Sequence, residues 1–415
     1  MIYKAEPYRW VALFCVVPIL AVTQLFWLTF SAISDTAARF YNVTPLSIAF
    51  LSMSYMIIYI IMTIPASMLA DRKGLRASFI TGAVITAVFG LTRGLCAGSF
   101  TLVVIAQIGM AVAQPFLMNP ITKLAAAWFP VNERATATGI ASIAGYLGIV
   151  IAMVATPTLV SAYSMNGMLM VYAAVSIASA VLVIVLLKEK PKTPAGPGGE
   201  INSGFSMRDL RQLFRNKNFL KLTIVMFIAL GTFNALLTVI GDMLLPRGIS
   251  ADQAGLIGGV IILFGLGGAA AIPLLSDKTH KRRIFLIISV LVSLLGIAGL
   301  CYASDYMILL ISGAVAGFFL MGAGPLAFQF GTEIAYPMPE GASYGALMAA
   351  GQISGILFIL LLYGMQTDSG SMIIPLSILF ALVVVGLIVS SRLKESAIIQ
   401  AEAPTDVAEA KENPQ

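Results

Sequence analysis

The chain has 415 residues, 59% hydrophobic and only 11% charged, whereas soluble globular domains carry roughly 25% charged residues. A fold of this size cannot cover itself with so little polar surface in water, so soluble, disordered and fibrous classes are excluded. Net charge is +6, from 25 basic and 19 acidic residues with a single histidine.

The apolar residues fall in runs of about 20, long enough to cross a hydrocarbon core about 30 Å thick at 1.5 Å per residue. Twelve runs are centred near residues 22, 58, 86, 112, 146, 177, 231, 264, 293, 318, 353 and 382. Strands of a membrane barrel are about half as long and alternate polar with apolar residues, and these runs do neither. The fold class is therefore an all-α, multi-pass membrane protein embedded in the lipid bilayer. The first run is long and lacks a small-residue cleavage site, which predicts an uncleaved anchor.

Between the sixth and seventh runs lies "KEKPKTPAGPGGEINSGFSMRDLRQLFRNKN". Its first half is rich in Pro and Gly and its second half reads as a short basic surface helix. The expected organisation is a six-helix bundle over residues 1–187, a linker over 188–217, a second six-helix bundle over 218–395, and a disordered tail over 396–415.

All 25 Lys and Arg except Arg39, Arg93 and Arg247 fall on one set of alternating loops, the N-terminus, the linker and the tail. Under the positive-inside rule this places both termini in the cytoplasm. The basic balance thus reports topology and gives no reason to invoke nucleic acid.

The two halves repeat each other. "AAWFPVNERATATGI" at 126–140 is echoed by "EIAYPMPEGASYGAL" at 333–347, Asp35 by Asp242, and "LADRKGLR" by "LSDKTHKRR", which aligns Asp71 with Asp277. These landmarks lie 207, 207 and 206 residues apart, so they mark a duplication of a six-helix unit.

A parallel repeat of six helices resembles the major facilitator superfamily. "ASMLADRKGLRAS" is similar to that family's loop between helices 2 and 3, with Ser67 where glycine is usual. The resemblance implies a latch that holds the cytoplasmic side shut in the outward-open state. Asp71 would sit near the N-terminus of helix 11 and Arg72 would pair with Glu133. Arg134, Asp277 and Glu340 are the neighbouring and repeat-related members. The alternative is that these charges serve only the positive-inside rule.

"FWLTFSAISDTAARFYNV", "FLSMSYMIIYI", "AQPFLMNPITKLAAAWFPVNE" and "AYPMPEGASYGALMAAGQISGILF" narrow the resemblance to the feline leukaemia virus subgroup C receptor-related family of haem and choline transporters. Short loops and tails suggest a prokaryotic member, in a bacterial inner membrane. The resemblance implies substrate-binding positions at Trp27, Gln114, Gln352 and Asn234. The last departs from the family, which has tyrosine there, and this puts choline itself in doubt against a smaller or more polar amine.

Depth supports the same residues independently. Gln114, Asn234 and Gln352 lie within about three residues of the centres of their runs, so within roughly 5 Å of the midplane. Amides at that depth are costly unless they face protein or a water-filled cavity. Trp27 lies about five residues outward, and an aromatic face is a common way to hold an alkylated ammonium. The competing readings are interhelical hydrogen bonds for the amides and packing for the tryptophan. Asp35 and Asp242, at the outer ends of helices 1 and 7, are candidates for proton coupling, although Asp35 is also spaced to pair with Arg39.

Three motifs carry no chemistry. "GLGGAA" at 265–270 lies within an apolar run with no preceding strand, and reads as close helix packing. "NVT" at 42–44 is a sequon in a short loop. His280 falls in a basic loop, away from any midplane ligand. Cys15, Cys96 and Cys301 have no metal or redox spacing, so no metal site and no cofactor are expected. An ATP-binding loop and a nucleophile–base pair are also lacking. The expected function is secondary transport of a small organic solute by a monomer. An amine substrate is favoured over efflux of lipophilic compounds or porphyrin, and a non-transporting sensor on the same fold is the alternative of another class.

Overall fold

Within hydrocarbon, each backbone N–H and C=O must be bonded inside its own segment, and the apolar runs of this chain accordingly form helices. In a computed structural model, residues 6–130, 133–191, 193, 212–336, 338, 340–367 and 370–395 are described. Most of the linker and the tail from 396 lie outside them. The membrane helices are α1 (Tyr8–Leu28), α2 (Pro45–Arg72), α3 (Leu75–Leu95) and α4 (Phe100–Trp128), followed by α5 (134–163) and α6 (165–186). The second half comprises α7 (Lys217–Leu244), α8 (Ala251–Thr279), α9 (Arg282–Tyr302), α10 (Tyr306–Ala335), α11 (Glu340–Gly364) and α12 (Ile373–Ser391). α5 and α6 run on as one element, Arg134–Leu186, broken at Ser164 (φ 61°, ψ 174°). That break returns the chain across the membrane and accounts for the fifth and sixth predicted runs.

Helix ends follow local chemistry. Thr44 precedes Pro45 at the start of α2 and its hydroxyl accepts from the Ser47 N–H at 3.3 Å. Ser250 and Gln253 form a reciprocal capping box on α8, a pattern that satisfies two otherwise orphaned donors. Asp305 accepts from the Ile308 N–H at the start of α10.

Two helices are interrupted inside the membrane. α4 breaks at Asn119–Pro120, where proline cannot donate to the preceding turn. α1 loses helical form after Leu28, and a short helix, Ser34–Tyr41, follows the unwound residues 29–33.

The helices form two bundles, α1–α6 and α7–α12, joined chiefly by α5 against α8 and α2 against α11. Leu95, Val185, Leu295 and Ile311 are among many large apolar side chains left exposed, as expected for a belt facing lipid. The three basic residues off the basic loops are each accounted for. Arg39 pairs with Asp35 at 3.0 Å. Arg247 donates to the backbone oxygens of Leu300 and Ala303 at 2.7 and 3.0 Å. Arg93 is buried in the first bundle.

Candidate functional site

We call the side bearing the basic loops the basic face and the opposite side the far face. On the far face the halves touch through backbone and buried polar groups. The Gly241 N–H of α7 donates to the Ser31 carbonyl in the unwound stretch after α1, at 3.2 Å. A Cβ at Gly241 would lie 2.6 Å from that oxygen, so only glycine allows the approach. Ser34 donates to Asp242 Oδ2 at 2.8 Å, and the Tyr363 hydroxyl of α11 donates to the same oxygen. Asp242 is buried, whereas Asp35 is partly exposed and held by Arg39. Both aspartates line a far-side cavity of about 260 Å³ with Pro45, Pro246 and Gln366.

Deeper in, Met153 of α5 packs against Gly255 and Gly258 of α8. Gly355 of α11 lies where a Cβ would meet Met56 of α2 at 2.9 Å and Asn234 of α7 at 3.1 Å.

On the basic face, four ion pairs each lie within one half. Arg9 pairs with Glu133 at 3.0 Å and Lys123 with Asp71. Arg282 holds Asp277 and, at 3.0 Å, Glu333. The expected Arg72–Glu133 pair is not made: Arg72 is exposed and Glu133 is taken by Arg9. Arg134 donates to the Phe129 carbonyl at 3.2 Å, and the Glu340 side chain lies outside the described residues. The two halves thus meet on the far face through a backbone hydrogen bond and a buried side-chain hydrogen bond.

The four predicted binding residues divide between the two bundles. In the first bundle, Gln114 donates to Gln24 Oε1 at 2.9 Å. Gln24 lies three residues before Trp27 and therefore on the same face of α1. The Trp27 ring is nearly buried, and its Nε1–H has no acceptor among the described residues. In the second bundle, Asn234 donates to the Gly351 carbonyl at 3.4 Å, one residue before Gln352. Gln352 is half-buried, and no hydrogen bond to it is found among the described residues. Among the described residues no hydrogen bond joins the two sets.

Towards the basic face, Tyr344 of α11 has Tyr59 of α2 and Tyr146 of α5 as electrostatic neighbours, and its ring packs on Phe328 at 4.5 Å. Asn119, half-buried at the α4 break, donates to Thr63 and Ser67 and accepts from Tyr59 at 3.3 Å.

Sequence reasoning missed Gln24, Ser34, Tyr363 and Asn119. Only Asn119 had a local signal, the Asn-Pro pair within an apolar run.

Two bundles of long apolar helices, each with a buried amide, define a multi-pass helical membrane fold. The chain matches the Major Facilitator Superfamily over residues 12–359, and it belongs to that superfamily. Among curated proteins it is 29% identical over 352 residues to the human choline/ethanolamine transporter FLVCR2, covering 80% of this chain and 67% of that one. It is 32% identical over 365 residues to the choline/ethanolamine transporter FLVCR1 of Felis catus, covering 82% and 65%. The chain thus spans about two thirds of the length of these relatives. Among solved structures, a bacterial homologue of the human lysosomal transporter Spinster aligns with TM-score 0.74 at 16% identity, covering 94% of this chain and 98% of that one. That likeness concerns the fold alone.

Proposed function

We propose that this protein carries a small amine, of the choline or ethanolamine class, across the membrane by alternating access. We assign the basic face, with both termini, to the cytoplasm and read the far-face contacts as those of the inward-open state. The substrate sits between the bundles. Its cationic head meets the Trp27 face, while Gln114 and Gln352 meet its hydroxyl or amine and Asn234 tunes the choice of head group. All these residues come from one chain, so a monomer suffices.

The observation that carries the reading is Gln352. A half-buried amide near the midplane with no hydrogen-bond partner among the described residues is costly in an apolar setting and calls for a polar ligand or water. Gln114, near the centre of its own apolar run, comes from the other bundle. Asn234 already spends one donor on the Gly351 carbonyl, which leaves a shorter, more polar wall than an aromatic ring would supply. This favours ethanolamine over the fully methylated ammonium.

The far-face contacts supply the moving part. Ser34 of the first bundle and Tyr363 of the second both donate to Asp242. Opening that side requires Ser34 to leave the carboxylate, and a proton on Asp242 would weaken this bond. Coupling to a proton gradient therefore acts through Asp242, with Asp35 held aside by Arg39.

The test is uptake of radiolabelled choline and ethanolamine into proteoliposomes by the wild type and by Trp27→Ala, Gln352→Ala and Gln114→Ala. Saturable uptake that the variants weaken supports the reading. Equal uptake by all four proteins refutes the assigned site.

A further inference from the structure

Arg93 is 1% exposed, yet no carboxylate pairs with it among the described residues. Its Nη1–H donates to Gln107 Oε1 at 2.8 Å. Its guanidinium lies over the rings of Phe26 and Phe30, 4.3 and 5.6 Å from their centroids. Gln107, fully buried in α4, in turn donates through Nε2 to the carbonyls of Phe26 at 2.9 Å and Leu51 at 3.3 Å.

The end of α1 explains why these groups are there. A helix leaves its last four carbonyls without intrahelical partners, and α1 ends at Leu28 inside the membrane, where water does not supply replacements. Each of the four is met individually. The Leu25 carbonyl accepts from the Thr29 hydroxyl at 2.8 Å, Phe26 from Gln107 at 2.9 Å, and Trp27 from Ser52 of α2 at 3.1 Å. The Leu28 carbonyl accepts from the Ser31 N–H at 3.1 Å. The negative end of the α1 dipole lies at this same point, and a cation near a helix C-terminus is stabilised there. Arg93 supplies that cation. By donating to Gln107 Oε1 it also orients the amide so that Nε2–H, not the oxygen, faces the carbonyls.

We infer that Gln107, oriented by Arg93, is a side-chain cap that fixes the unwound end of α1 and thereby the position of Trp27; both are positioning residues of the amine site. The inference rests on the reading of Trp27 as part of that site. The same cap holds the unwound stretch that presents the Ser31 carbonyl to Gly241, so one network sets the aromatic wall and the far-face contact together.

The decisive variant is Gln107→Glu. Glutamate keeps the size and would pair with Arg93, but when ionised it cannot donate to the Phe26 carbonyl. If Gln107 only balanced the arginine, the variant would be silent; if it is a cap, α1 loosens. The full-length protein is labelled with 5-fluorotryptophan and its three tryptophans are read by ¹⁹F NMR, with Trp27 assigned by its loss in Trp27→Phe. Gln107→Glu and Arg93→Met are expected to shift or broaden the Trp27 resonance and leave those of Trp10 and Trp128 in place. The latter two also report that the protein is folded. In uptake, KM for ethanolamine rises about five- to thirty-fold while Vmax stays within about twofold, the loss expected when an aromatic face no longer meets a cation. Arg93→Lys, which keeps the charge and a donor, recovers much of the affinity. An unchanged Trp27 resonance in a folded Gln107→Glu protein overturns the cap. If Gln107→Glu moves the resonance while Trp27→Ala transports normally, the cap stands and the amine site is wrong.

Discussion

Replacing Ser34 with alanine removes one hydroxyl, and with it a side-chain hydrogen bond that joins the two bundles on the far face. The Tyr363–Asp242 bond lies within the second bundle and survives, as does the Gly241–Ser31 backbone bond. A hydrogen bond to a charged group is worth about 1.5–3 kcal/mol, and in the opposite conformation water solvates both partners. The variant therefore loses up to that amount from the basic-open state alone. At 1.4 kcal/mol per tenfold, the ratio of basic-open to far-open molecules falls roughly ten- to hundredfold. Pulsed electron paramagnetic resonance can read this shift. Cys15 and Cys301 are buried, so a Cys96→Ser protein labelled at Phe40→Cys and Met365→Cys reports on the far face, where both positions are exposed. A long-distance population should appear or grow in Ser34→Ala. A distance distribution identical to wild type, in detergent and in nanodiscs, would refute the far-face contact as a determinant of conformation.

Four further outcomes are expected. Gly241→Val places a side chain against the Ser31 carbonyl, so it should mimic Ser34→Ala in the same distance measurement with a larger shift. Trp27→Ala should raise KM about five- to thirty-fold, from about 1–2 kcal/mol of lost cation–π attraction, with expression unchanged by Western blot. Asp242→Asn keeps an acceptor for Ser34 and Tyr363 but cannot cycle a proton; an imposed proton gradient should stimulate uptake in wild type and not in the variant. Asn234→Ala removes the bond to the Gly351 carbonyl and should change the ratio of ethanolamine to choline KM, measured by competition, by several-fold.

Most of the helical architecture could be read from the chain because membrane helices satisfy their backbone internally, so length and hydropathy alone define them. The Ser164 break was visible only as the gap between two apolar runs, since nothing local demands φ 61° of a serine. The duplicated loops announced the two-bundle plan. The proposed site was partly legible: Gln114 and Gln352 stand out because a midplane amide is rare. Their partners were hidden. Gln24 meets Gln114 across 90 residues and Ser34 meets Asp242 across 208, separations over which composition carries no signal.

Ion-pair partners on the basic face were equally illegible. Glu133 meets Arg9 across 124 residues and Glu333 meets Arg282 across 51. Arg93 did leave a trace, as a basic residue away from the basic loops. Its role needed the end of α1, which the sequence marks only by the polar Thr29, Ser31 and Ser34 after an apolar run.

The central claim is that a small amine binds between the bundles against Trp27 and the two glutamines. Equilibrium binding of tritiated ethanolamine and choline to the purified protein, by scintillation proximity, tests it directly. The account predicts saturable binding in the wild type, weakened about five- to thirty-fold in Trp27→Ala and lost in the Trp27→Ala/Gln352→Ala double variant. Absence of saturable binding of either amine, or equal affinity in all three proteins, would contradict it.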